Sequence, residues 1–137
     1  MKRFKLEKLQ RHRDFGLLVA RLGLGVMFIL HGYPKMLGGP ESWQGLGKAM
    51  GYVGVDFLPA FWGFAAAFAE LVGGALLILG WFFRPACLLL TLTMAVAATM
   101  HLRSGDGLAA ASHAIEVGAV FFGLLFVGPG KHSVDQR

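Results

Sequence analysis

Cysteine is nearly absent. Cys87 stands alone among 137 residues, which excludes a disulfide framework, a zinc ribbon, a cysteine-held iron–sulfur cluster and any dithiol relay within the chain. Charge is scarce as well: 15% of residues are charged, where water-soluble domains carry about 25%. Hydrophobic residues make up 55% of the chain and the mean hydropathy is +0.59. So few polar groups cannot cover the surface of a soluble domain of this length, and the bilayer is indicated as the solvent. There is no C-x-x-C-H haem signature and no glycine fingerprint after a strand, so a redox centre would have to be bound or borrowed. No repeat, low-complexity tract or second domain interrupts the pattern.

What charge there is has a direction. Thirteen Lys plus Arg oppose eight Asp plus Glu, and Lys2, Arg3, Lys5, Lys8, Arg11 and Arg13 all precede the apolar run that begins at Phe15. A nucleic-acid surface would interleave basic residues with aromatics, so nucleic acid is not expected as a partner. A basic leader before an apolar run resembles a secretory signal, but Arg21 interrupts it and no A-x-A site follows, so an uncleaved first span is expected.

Apolar stretches at Phe15 to Met36, Leu58 to Phe83, Pro85 to Met100 and Leu108 to Val127 approach the ~20 residues of a membrane-crossing helix. The expected fold is all-α: a polytopic membrane protein built as an antiparallel bundle of four transmembrane helices. Residues 1–14 form a basic leader, 15–128 the membrane domain and 129–137 a tail. Arg84-Pro85 is expected to stop the second helix, Ser104-Gly105-Asp106-Gly107 to join the third to the fourth, and Gly128-Pro129-Gly130 to end the last. Lys and Arg at 2, 3, 5, 8, 11, 13, 84, 131 and 137 then share one side, against Lys35, Lys48 and Arg103 on the other. That excess places both termini in the cytoplasm. The longest connection, Leu37 to Phe57, permits a short interfacial helix capped by Ser42, with Trp43, Leu46 and Met50 on one face, or a loose glycine-rich loop.

Ionisable groups inside a span cost about 2.5–3.5 kcal/mol each on insertion scales. Counting ~1.5 Å per residue from the cytoplasmic helix ends puts His31 at ~24 Å, Glu70 at ~21 Å, His101 at ~24 Å and Glu116 at ~18 Å depth. Each helix thus contributes one polar residue to a layer in the outer half of the bilayer, with His113 one turn from Glu116. Small residues flank Glu70 at Ala66, Ala67, Gly73 and Gly74, a face suited to close helix packing that turns the carboxylate into the bundle.

Four chemistries use such a layer. A single metal ion would take His31, Glu70, His101 and Glu116 as ligands, although two carboxylates are few and the Glu-x-x-His signature of di-iron bundles is absent. A quinone would accept hydrogen bonds from His31 or His101 and a proton from Glu70 or Glu116, against walls such as Phe28, Trp62, Phe64 and Phe68. Proton-coupled transport uses the same side chains as a relay. In a non-catalytic scaffold or assembly factor they would simply pair and hold the bundle together. Elsewhere, Arg21 is expected to snorkel, pair with Asp135 or hold a lipid phosphate. Arg84 is expected to neutralise the carbonyl end of the second helix and attract anionic headgroups.

Taken together, Arg21-Leu-Gly-Leu-Gly, His31-Gly-Tyr-Pro-Lys35, Glu70-Leu-Val-Gly-Gly74, Gly80 followed by Arg84, His101, Glu116 and Gly128-Pro-Gly-Lys-His-Ser-Val-Asp135 resemble the DoxX family from about Phe15 to Asp135. The resemblance implies a small four-helix bacterial inner-membrane protein serving membrane oxidoreductase systems, some quinone-reducing, with soluble redox partners. It implies His31, Glu70, His101 and Glu116 as a polar site, and Arg21, Arg84, Ser133 and Asp135 as a cytoplasmic set. No further domain of the kind a full thiosulfate-oxidising enzyme would need is expected from these residues, so that substrate is not implied. Glycine-lined faces permit a homo-oligomer.

Overall fold

The structure, a computed structural model, describes residues 7–135; Lys2, Arg3, Lys5 and Arg137 of the topology count lie outside them. Five α-helices follow a helical stretch at 7–10: α1 Arg13–Leu37, α2 Gly39–Gly47, α3 Pro59–Leu79, α4 Phe83–Arg103 and α5 Leu108–Val127, with a 3-10 turn at Lys48–Val53 between α2 and α3. The four long helices are each long and apolar enough to cross a membrane, and the chain is an all-α, four-helix membrane bundle.

Two boundaries differ from the sequence reading. Arg84-Pro85 does not end the second span. The chain turns earlier, at Gly80 to Phe82, and Pro85 sits in the first turn of α4, where its missing N–H costs no hydrogen bond. Ser42 does not cap the short helix either. α2 starts at Gly39 with Pro40 in its first turn, leaving Ser42 inside the helix against Gly38.

α1 lies along α3 and α4 along α5. Glycine sets the first contact: a Cβ at Gly25 would stand 2.6 Å from the Gly74 carbonyl oxygen, and one at Gly32 2.6 Å from the Leu71 nitrogen. Backbones that close exclude any side chain. α1 and α5 meet instead through rings, with Phe28 and Phe121 at 5.0 Å and His31 and His113 at 5.8 Å between centroids. The core is Phe28, Leu77, Phe83, Cys87, Leu90, Met94, Ala114 and Phe121. α2 packs on α3, with Gly63 against the Trp43 carbonyl and Gly47 against Pro59. The Trp43 Nε1–H donates to the Lys35 carbonyl at 3.1 Å, satisfying one of the acceptors orphaned at the end of α1.

Arg21 is 1% exposed, so it does not snorkel to a lipid, and Asp135 attracts it electrostatically without a direct hydrogen bond. Its guanidinium donates to the carbonyls of Leu77 (2.9 Å), Ile78 (2.8 Å), Pro129 (3.2 Å) and His132 (2.8 Å), tying the carbonyl end of α3 to the tail. The tail in turn pairs with the chain beyond α3, Val134 N–H to Leu79 O and Asp135 N–H to Gly80 O, both 3.0 Å. The Asp135 carboxylate accepts from the backbone N–H groups of Phe82 (3.2 Å) and Phe83 (2.9 Å). It thereby performs from a distance the capping that Phe82, the residue before α4, has no side-chain acceptor to perform. The Ser133 hydroxyl donates to Gly130 O at 2.6 Å. Arg84 donates to Leu125 O at 3.0 Å, so it serves the carbonyl end of the fourth span and not the second.

Candidate functional site

Toward the opposite end of the bundle from this knot, the spans separate around a cavity of about 170 Å³. That exceeds the ~10–15 Å³ needed for one water and falls short of the ~300 Å³ at which drug-sized pockets begin. Its apolar wall includes Phe28, Met94, Ala97 and Ala114; its polar lining is His31, Lys35, Glu70, His101 and His113. α1 supplies His31 and Lys35 one turn apart, α3 Glu70, α4 His101 and α5 His113.

Glu70 is 5% exposed, because Gly32 lets α1 settle directly over it. Both its carboxylate oxygens accept from the Lys35 ammonium at 3.0 Å. A buried carboxylate is costly unless paired, and Lys35, with its side chain 37% exposed, reaches in from the rim to pair it. This partner was hidden in plain sequence. The topology count treats Lys35 as an outer-side charge, yet it follows His31 by four residues, the spacing that puts two side chains on one helix face.

His101 also has a partner that sequence reasoning placed merely in a turn. Its Nδ1 lies 2.9 Å from Asp106 Oδ2. Hydrogen bonds from His101 and Ser104 hold the Asp106 carboxyl below the ordinary carboxylate range. With Nδ1–H donated to Asp106, the neutral imidazole keeps Nε2 as an acceptor. Among the described residues, His31 and His113 make ring contacts with each other but no side-chain hydrogen bond.

Glu116 stands apart. It is exposed and does not line the cavity. Ala111, Ala114 and Phe121 are the buried side of α5, and at 100° per residue Glu116 falls roughly opposite Ala114. Depth matched the other polar residues; rotation did not. With Lys35 on both oxygens of Glu70 and Glu116 turned away, the single-ion site of His31, Glu70, His101 and Glu116 is not assembled. Among the described residues no group of three His, Cys, Asp or Glu is arranged to hold a metal. The aromatics expected beside a quinone divide too: Phe28 lines the cavity, while Trp62, Phe64 and Phe68 do not.

The sequence model of the DoxX family matches residues 16–103. The inner membrane protein YphA of Escherichia coli strain K12 is 30% identical, across 93% of this chain and 97% of its own length. An uncharacterized protein of Haemophilus influenzae is 38% identical, across 67% of this chain and 63% of its own. No solved structure matches.

Proposed function

Because the chain belongs to the DoxX family, we propose that its polar cavity binds a small redox-active headgroup, a quinone, on behalf of an inner-membrane oxidoreductase assembly. One observation carries the reading: three imidazoles and a Lys–Glu pair from four separate spans converge on one apolar-walled cavity. A bundle that needed only internal locking would leave no histidine nitrogens over. A quinone carbonyl accepts hydrogen bonds, and reduction to the quinol takes up two electrons and two protons. The chain's own groups suit the proton half: the His31 imidazole, with no side-chain hydrogen bond of its own, can donate, and the Asp106–His101 pair connects the cavity to the loop outside it. The electrons would come from a soluble partner, since the chain carries no redox signature.

The excess of basic residues in the leader and tail supports placing both termini in the cytoplasm and the cavity in the outer half of the membrane. The printed name of the Escherichia coli relative supports the inner membrane. The test is organic extraction of the detergent-purified chain for bound quinone, together with thermal unfolding in added short-chain benzoquinone and naphthoquinone. Saturation at a hundredfold over Kd should stabilise the chain by about 2.7 kcal/mol, and His31→Phe, which removes an imidazole free to donate to a quinone carbonyl, should abolish the shift. An extract without quinone and a melting point unmoved by either compound would refute the reading. It would leave the scaffold alternative, in which the polar side chains only hold shape.

A further inference from the structure

Glu116, left out of the cavity, sits midway along α5, about 12 Å from one helix end and 17 Å from the other. It is exposed on the outside of the bundle. At that depth the surface of a single chain meets hydrocarbon, where carboxylates are rare and almost always have polar partners. Most of its neighbours along the same face are small, Ala109 and Ser112 before it and Ala119 and Gly123 after it, with Val120 the larger exception and open space beside Gly123. Such a stripe lets another helix backbone approach closely. His113, exposed at the flank of this face, sets an imidazole one turn from the carboxylate. One surface therefore carries both an acceptor and its complement, offset along the helix.

We propose that α5 docks against α5 of a second copy of this chain, Glu116 of each copy meeting His113 of the other across a two-fold axis. Two-fold interfaces place residue i against j and j against i, which is what a face bearing both members of a pair satisfies. A helix from a different protein would have to supply a separate complement to each. Because Ala110 and His113 also line the cavity, the second copy would stand at its edge.

The experiment uses oxidative cross-linking of the full chain in membrane vesicles. In the parent the sole thiol, Cys87, is buried and should give no cross-link. Ala109→Cys and Gly123→Cys sit on the proposed face, and Val26→Cys on the exposed side of α1 is the control. Disulfide-linked dimers from at least one of the two α5 variants, without dimers from Val26→Cys, are expected. In lipid nanodiscs Glu116→Leu should weaken dimerisation about tenfold, the loss of two modest interhelical hydrogen bonds, while its thermal unfolding shows the monomer still folded. The proposal is overturned by a monomeric parent mass in nanodiscs, by equal cross-linking from Val26→Cys, by cross-links to a polypeptide of another mass, or by a dimer indifferent to Glu116→Leu.

Discussion

Replacing Gly80 with alanine tests the knot around Arg21 at a single methyl group. Gly80 ends α3 at φ +64°, a left-handed conformation that costs an alanine about 1–2 kcal/mol. The added carbon would also overlap the Ser133 Cβ and lie 2.7 Å from Arg21 Nη2. Neither neighbour yields freely, since Arg21 is held by four carbonyls and Ser133 by its bond to Gly130 O. The tail must give way, with the Val134–Leu79 and Asp135–Gly80 bonds at about 1 kcal/mol each. Losing the Asp135 cap on α4 adds about 1 kcal/mol. The expected destabilisation is about 4–5 kcal/mol, or roughly 14–17 °C in melting temperature for a chain of this size. Gly23→Ala is the matched control: nothing lies within 4 Å of its Cβ position, so the change should be neutral or mildly stabilising. Thermal unfolding by tryptophan fluorescence reads the size of the effect, and hydrogen exchange over residues 128–135 reads where it falls. Adding Ser133→Gly should recover only the part due to the Ser133 overlap and leave the close approach to Arg21 and the backbone strain. If Gly80→Ala melts within a degree of the parent, or the tail stays protected from exchange, this account of the knot is wrong.

Other outcomes follow from the cavity and its surroundings. Lys35→Met and Glu70→Leu should each destabilise, while the pair together should come close to the parent in thermal unfolding. The expected coupling is about 1–2 kcal/mol, below the 3–5 of a fully buried pair because Lys35 is partly solvated; additive single effects would show that no ion pair forms. Gly63→Ala should push α2 off α3, because the new Cβ would overlap the Trp43 carbonyl, and proteolysis within 38–57 should accelerate; unchanged cleavage would count against that packing. Asp106, with its carboxyl lowered by His101 and Ser104, contributes stability that is complete above its unfolded pKa and lost as the pH falls through the lowered value. Exchange protection of the 104–107 turn should therefore fade on the acid side of the ordinary carboxylate range. Asp106→Asn should remove that limb, and its persistence in the variant would assign it to another group.

The four spans were legible because twenty apolar residues in a row have few other uses, and the face of Glu70 because Ala66, Ala67, Gly73 and Gly74 mark close helix contact, made at Gly74 against Gly25. Ends were harder. Proline is tolerated in a first turn as readily as after a last one, so Arg84-Pro85 fitted either side of the boundary. The partners of Arg21 were not readable at all: they are backbone carbonyls, which every residue has, drawn from segments far apart in sequence. Lys35, at i+4 from His31, was readable in principle once the question became what neutralises the buried Glu70, and Asp106, at i+5, as the nearest carboxylate to His101.

Glu116 shows why depth and direction are separate problems. Depth comes from counting along a helix whose ends are marked. Direction requires a contrast between faces, and α5 has little: Leu108, Ile115, Val120, Phe122, Phe126 and Val127 are apolar yet exposed, because the surrounding solvent is itself expected to be apolar. In water, an acid on an exposed face is unremarked; in hydrocarbon, it demands a partner. The two polar centres of this bundle differ accordingly. At the tail, the donors of Arg21 and the acceptors of Asp135 are taken up by backbone groups of the same chain, which fixes structure and leaves little capacity for binding. At the other end, imidazoles face a cavity with hydrogen-bonding capacity in reserve, and a carboxylate faces outward. Polar groups whose partners lie inside the chain hold it together; those whose partners must come from outside are where a ligand and a second subunit are to be sought.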